Sequence, residues 1–425
     1  MHSRVIGLIL FASAAVAAFP GGSREAATDR GEPVKIRYAT WGTEPYLQAT
    51  VDGFRETNPN VDVVLESIPG KDYWVKMEAA ALSKTLPEVI RFKTSELGKY
   101  VEGGCLKDLT SLDKFDPSFS YSHFPAVIVK KFTVDGKVYG VPKDFDTIAL
   151  FYNKEIFDKA GEPYPDGNWD WKKLVEVAKK LTNRAAGVYG FAAPIAGQKG
   201  YWNTILQAGG IIIGPGGKPG FDMEATREGL RFWYDMLNTH GVSPSAAQME
   251  ETNPDTMFLS GKIAMMFSGS WMIDNYMLDN KEFAPKFDLA LLPKGPAGRA
   301  TISNSLCFSV AEGIPDKTAR EAALKLVAYL GSLKAQTIEA EYGGAIPAYT
   351  GAELKWKEVY SRYHANVFFD SLEWSHEYPV TRLSSWMGEM DSMSKKMLLG
   401  AIGIDAGCAE LQKKMEKLIG DENVK

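Results

Sequence analysis

The stretch VKIRYATWGTEPYLQATVDGFRETNPNVDVVLE, Val34 to Glu66, decides the fold. Val34 to Thr40 alternates and is rich in β-branched and aromatic side chains, which predicts a strand. Tyr46 to Thr57 sets Leu47, Val51 and Phe54 at helical spacing. Asn58-Pro59-Asn60 is a turn, and Val61 to Glu66 predicts a second strand. Asp72 then stands where a helix cap is needed, ahead of a run to Lys84 with Trp74, Met77 and Ala81 along one stripe. Glu88 to Phe92 is a third short strand. Strands alternating with helices at this spacing imply parallel βαβ units.

The pattern continues outward. Strands are expected at Val138–Val141, Thr147–Tyr152, Val188–Ala193, Lys262–Phe267, Asp288–Leu292 and Leu306–Ala311. Helices are expected at Asp170–Leu181, Met223–Leu237, Asp316 to about Ala335, Leu383–Leu399 and Asp405–Ile419. At 425 residues the chain is long enough for two domains. An apolar content of 45% is that of a well-buried globular protein. A net charge of −5, with both signs interspersed, gives no basic face for nucleic acid.

Arg4, the apolar run Val5–Ala12 and the small-x-small triplet Ala15-Val16-Ala17 form a signal-peptide pattern, with cleavage near Ala17 or Ala18. Residues 19–32 read as a flexible lead. No cysteine stands near the cleavage point, so a lipid anchor is not expected, and export to the periplasm is. Cys105, Cys307 and Cys408 are far apart and read as free, buried thiols.

Motifs for catalysis are missing. The sequence has no GxxxxGK[ST], no GxSxG and no HExxH, and its five histidines are scattered. No catalytic residue, metal ligand or cofactor is therefore nominated. A glycosidase pair of carboxylates would leave no motif, so a secreted carbohydrate hydrolase stays open.

Four stretches together resemble extracellular solute-binding protein family 1, the maltose-binding-like receptors of ABC importers. They are FRETNPNVDVVLE (Phe54–Glu66) with Leu86-Pro87-Glu88-Val89, DGKVYGVPKDFDTIALFYNKEIF (Asp135–Phe157), FLSGKIAMMFSGSW (Phe258–Trp271) and YGGAIPAY (Tyr342–Tyr349). The resemblance implies an α/β, two-lobed periplasmic-binding-protein fold of type II, with discontinuous lobes joined by hinge segments. One lobe would be residues 33–144 and 300–343, the other 145–299 and 344–425. It implies no enzyme. It implies a monomer that closes on a carbohydrate and delivers it to permease subunits served by a cytoplasmic ATPase. A glycerol phosphodiester or polyamine is the alternative ligand, and docking to a chemoreceptor fits the same fold.

Sugar sites pair acids and amides with flat aromatic rings. By resemblance, Trp41, Thr43 and Glu44 after the first strand face the ligand, although Trp41 also suits a core. Phe92, Lys93 and Ser95 follow the third strand at the matching level. Asp144 and Asp146 flank the first crossing, as cleft carboxylates or turn caps. Trp202 is the candidate aromatic of the second lobe. Trp271, behind Gly269-Ser270, is the expected stacking ring, with those small residues admitting the ligand. Trp386 would close over the ligand, Arg382 suits either hydroxyl contacts or a surface ion pair, and Gly344 serves the backbone near the second hinge.

Overall fold

The computed structural model describes residues 32–42, 44–274 and 280–424. The expected signal peptide, residues 19–31 of the lead, and Thr43 lie outside the described residues. The opening stretch folds as its pattern requires: β1 (Val34–Trp41), α1 (Pro45–Arg55), β2 (Val61–Ile68), α2 (Gly70–Leu82), β3 (Val89–Lys93) and α3 (Thr94–Glu102). Asp72 is not the cap of α2. The helix starts earlier, behind Pro69, and Asp72 sits in its first turn, where a carboxylate complements the helix dipole.

Strands β1, β2 and β3 pair in parallel, in the register Val34↔Val61 to Trp41↔Ile68 and Tyr38↔Val89. The sheet is completed by β4 (Val141–Pro142) and by β8 (Leu306–Val310), which returns from the far end of the chain; the order is β2-β1-β3-β8-β4. A second, antiparallel sheet has the order β7-β5-β6, from β5 (Ile148–Asn153), β6 (Met265–Gly269) and β7 (Phe287–Ala290).

Each sheet anchors its own hydrophobic core. One cluster draws on residues 36–141 and 307–348, the other on 148–302 and 340–419. The chain therefore crosses between cores near 141–148, 302–307 and 340–348. Burial of two separate apolar clusters makes two lobes, and the crossings make the hinge.

Three expected elements differ. Val138–Val141 is broken: Lys137–Val138 pairs with Thr133–Val134, and only Val141–Pro142 joins the first sheet. Val188–Ala193 forms isolated bridges, Tyr189↔Ile263 and Ala192↔Met266, in place of a continuous strand. The long helix from Asp316 is two helices, α4 (Lys317–Leu330) and α5 (Leu333–Glu341). Asp316 Oδ1 caps the first by accepting from Ala319 N at 2.7 Å; Gly331 ends it, and the Ser332 hydroxyl caps the second by accepting from Ala335 N at 3.2 Å. Cys105, Cys307 and Cys408 are free, the last two fully buried. No helix among the described residues is long and apolar enough to cross a membrane.

Candidate ligand-binding cleft

A cleft of about 460 Å³ opens between the lobes, at the carboxyl ends of β1 and β3 and against the crossings. It brings together Trp41, Glu44, Lys93, Asp144, Asp146, Trp271 and Gly344.

The loop after β1 is tightly built. Gly42 has φ +88°, which favours glycine, and a Cβ there would meet the Glu44 carboxylate at 2.7 Å. Glu44 thus folds back over its own loop. Beneath it lies Arg91 of β3, 1% exposed. Its guanidinium donates to the Trp41 carbonyl and to Tyr46 Oη at 3.1 Å, pairs with Glu44 at 3.4 Å, and lies 4.1 Å from the centre of the Trp41 ring.

On the same wall Trp74 reaches the cleft from α2, tilted 5.9 Å from Trp41, and Lys93 Nζ stands 5.1 Å from the centre of the Trp74 ring. The opposite wall carries Trp271, in the turn that follows β6. Its ring folds back over Gly269, where a Cβ would come within 1.9 Å. The small residue there makes room for the tryptophan itself, not for the ligand.

The floor is the hinge. Lys143 is 2% exposed and donates to Asp144 Oδ2 at 2.9 Å and to Glu339 of α5. Burial works against its ammonium, but Asp144 and Glu339 outweigh that and hold its pKa well above the ordinary lysine value. One ammonium faces two carboxyls, and burial lifts Glu339 to about 7 even against Lys143. Asp146 accepts from Asn304 N at 3.0 Å and from Gln198 Nε2 at 3.0 Å, and its own N–H donates to the Asn304 carbonyl at 3.1 Å. It ties one crossing to the other. Burial raises its carboxyl to about 7, with Asp144 adding and the Asn304 N–H opposing.

Five expected site residues lie elsewhere. Phe92 is sealed in the first core against Trp74 and Tyr100, because β3 has a buried face on that side. Trp202 is 4% exposed and packs edge-on against Tyr378. Trp386 is wholly buried, its Nε1 donating to Thr381 Oγ1 at 3.0 Å. Ser95 is buried at the start of α3, outside the cleft lining. Arg382 lines a different crevice and pairs with Glu102 at 2.6 Å, the surface ion pair of its alternative reading.

Tyr46, Trp74, Arg91, Lys143, Gln198 and Asn304 line the cleft without having been singled out. Arg91 and Lys143 carried a usable signal. A charge inside the apolar run Val89-Ile90-Arg91-Phe92, or beside Pro142 in a strand, is buried only if it is paired.

Residues 49–366 match the model of the bacterial extracellular solute-binding proteins. The chain belongs to this family. A binding protein of Brucella abortus (strain 2308) is 26% identical over 280 residues, 64% of this chain and 65% of its own length. The maltodextrin-binding protein MdxE of Bacillus subtilis (strain 168) is 24% identical over 65% of this chain and 64% of its own. The matches thus span a little under two thirds of these curated relatives. Among solved structures, an ABC substrate-binding protein from Listeria monocytogenes in complex with cycloalternan superposes with a TM-score of 0.84 and 25% identity, covering 91% of this chain and 99% of the other. The type II, two-lobed fold of solute-binding proteins is thereby established for this chain.

Proposed function

We propose that the chain is the substrate-binding component of an ABC importer, working outside the cytoplasm, and that it captures a carbohydrate by closing its lobes on the cleft. The observation that carries this reading is the composition of the walls. Trp41, Trp74 and Trp271 offer flat apolar rings, and Glu44, Asp144, Asp146, Gln198 and Asn304 offer hydroxyl-bonding groups. The names of the Listeria and Bacillus relatives, one bound to cycloalternan and one called maltodextrin-binding, point to the same class.

Charge decides against a phosphate-bearing ligand. The lining holds three cations, Arg91, Lys93 and Lys143, and four carboxylates, Glu44, Asp144, Asp146 and Asp274. Arg91 and Lys143 are already paired with acids inside the protein. A phosphate needs uncommitted Arg or Lys donors, and a neutral polyol does not. A polyamine needs free carboxylates, and Glu44 and Asp144 are engaged with Arg91 and Lys143. Delivery follows if sugar favours the closed over the open lobe arrangement and the permease subunits recognise the closed one.

The test separates binder from hydrolase. The purified chain is incubated with maltose, maltotriose, lactose and cycloalternan, and both melting temperature and product formation are followed. A sugar-specific rise in melting temperature without turnover is expected. Turnover abolished by one carboxylate substitution overturns the reading.

A further inference from the structure

We propose that Arg91 is a positioning residue, which fixes Trp41 and Glu44 in the geometry that a ligand meets. The proposal rests on the cleft being the ligand site.

Arg91 stands in β3 among Val89, Ile90 and Phe92, each with no exposed surface. A guanidinium at that depth is tolerated only when its donors are used. Among the described residues, its side-chain hydrogen-bond partners all come from Trp41, Glu44 and Tyr46. They are the Trp41 carbonyl, the Glu44 carboxylate at 3.4 Å and Tyr46 Oη at 3.1 Å, and the centre of the Trp41 ring lies 4.1 Å away. One side chain thus holds Trp41 and Glu44 from below and covers one face of the Trp41 ring. A ligand meets only the rest of that ring.

The contrast with Arg37 is informative. Arg37 also joins β1 to the segment of β3, through Glu88 at 2.9 Å, but it is partly exposed and lies outside the cleft lining. Both arginines tie strands together, and only Arg91 bears on ligand-facing groups. A lysine cannot replace Arg91, because a point charge neither stacks on indole nor bridges two acceptors at fixed angles. Two buried atoms, Arg91 Nε and Glu44 Oε2, have no hydrogen-bond partner among the described residues.

The test uses Arg91→Lys, with Arg37→Lys as control and Glu44→Gln as a second, partly exposed probe of the same contact. The first readout needs no ligand. It is the near-ultraviolet circular dichroism of Trp41, taken as each protein minus its Trp41→Phe version. Arg91→Lys is expected to lose that signal, and Arg37→Lys to keep it. The second readout is calorimetric affinity for maltotriose, lactose and cycloalternan. Arg91→Lys is expected to weaken binding about 10- to 100-fold, with Arg37→Lys within about twofold of wild type on the same scale. Adding Glu44→Gln to Arg91→Lys is expected to change the Trp41 dichroism little further, because the two act on Trp41 as one contact. A retained Trp41 signal in Arg91→Lys, or equal affinity losses for the two arginines, overturns the proposal. If wild type binds none of the sugars, the sugar reading fails, and the dichroism still decides the role of Arg91.

Discussion

Replacing Asp146 by asparagine should flatten the dependence of stability on pH. The carboxyl lies at 3.8 when exposed and at about 7 in the folded protein, where burial disfavours its charge. Between these values the folded chain holds a proton that the unfolded chain has released. Stability from this group is therefore complete below pH 3.8 and is lost as pH rises through about 7. At 1.36 kcal/mol per pH unit, that interval corresponds to about 4 kcal/mol at most. Asparagine keeps an acceptor for the Asn304 N–H and carries no charge to desolvate, and the Gln198 amide can turn to face its NH₂. Urea unfolding of both proteins at pH 5, 6, 7 and 8 measures the effect. The variant should gain on wild type with rising pH, by about 2–3 kcal/mol between pH 5 and 8, nearly all of it below pH 7. Glu339, also near 7, contributes a slope of the same sign to both proteins and cancels in the difference. Parallel stability curves would refute the reasoning, because Asp146 would then ionise without penalty.

Three further outcomes follow from the geometry. Trp271→Ala should weaken sugar binding by about 1–3 kcal/mol with little change in melting temperature, and Gly269→Ala should act likewise by displacing the ring; calorimetry reads both. Lys143→Met strands two buried carboxyls and should cost about 3–5 kcal/mol of stability, measured by denaturant unfolding. Trp386→Ala opens a cavity in the second core and should destabilise the fold by about 3–5 kcal/mol, with the loss seen in sugar-free protein.

The parallel half of the first sheet was legible because Val34 to Phe92 keeps two clean periods, and because Pro59 and the Asn residues beside it punctuate them. Strands near β8 and β4 were expected too, but their joining to β3 in one sheet was not legible, since pairing across some 200 residues leaves no local trace. Of the expected residues, those at or just after a strand end line the cleft: Trp41 and Glu44 at β1, Lys93 at the end of β3 and Trp271 after β6. Trp202 and Trp386 were misplaced for one reason. An indole is as useful inside a core as on a ligand wall, and spacing alone does not say which face of a helix meets the gap between lobes. Trp74 is the converse case, a ring on the core stripe that packs on Phe92 and also lines the cleft. The hinge cluster of Lys143, Asp144 and Glu339 joins residues almost 200 positions apart, and no motif announces it.

If the two lobes shut on a carbohydrate at the Trp41–Trp74–Trp271 cleft, the protein becomes more compact when sugar binds. Small-angle X-ray scattering of the wild-type chain, with and without the tightest-binding sugar of the panel, tests it most directly. A smaller radius of gyration is expected with sugar, and a clearly lesser compaction in Trp271→Ala at the same sub-saturating sugar concentration. Calorimetric binding of sugar with an unchanged scattering profile, or identical compaction in Trp271→Ala, would contradict it.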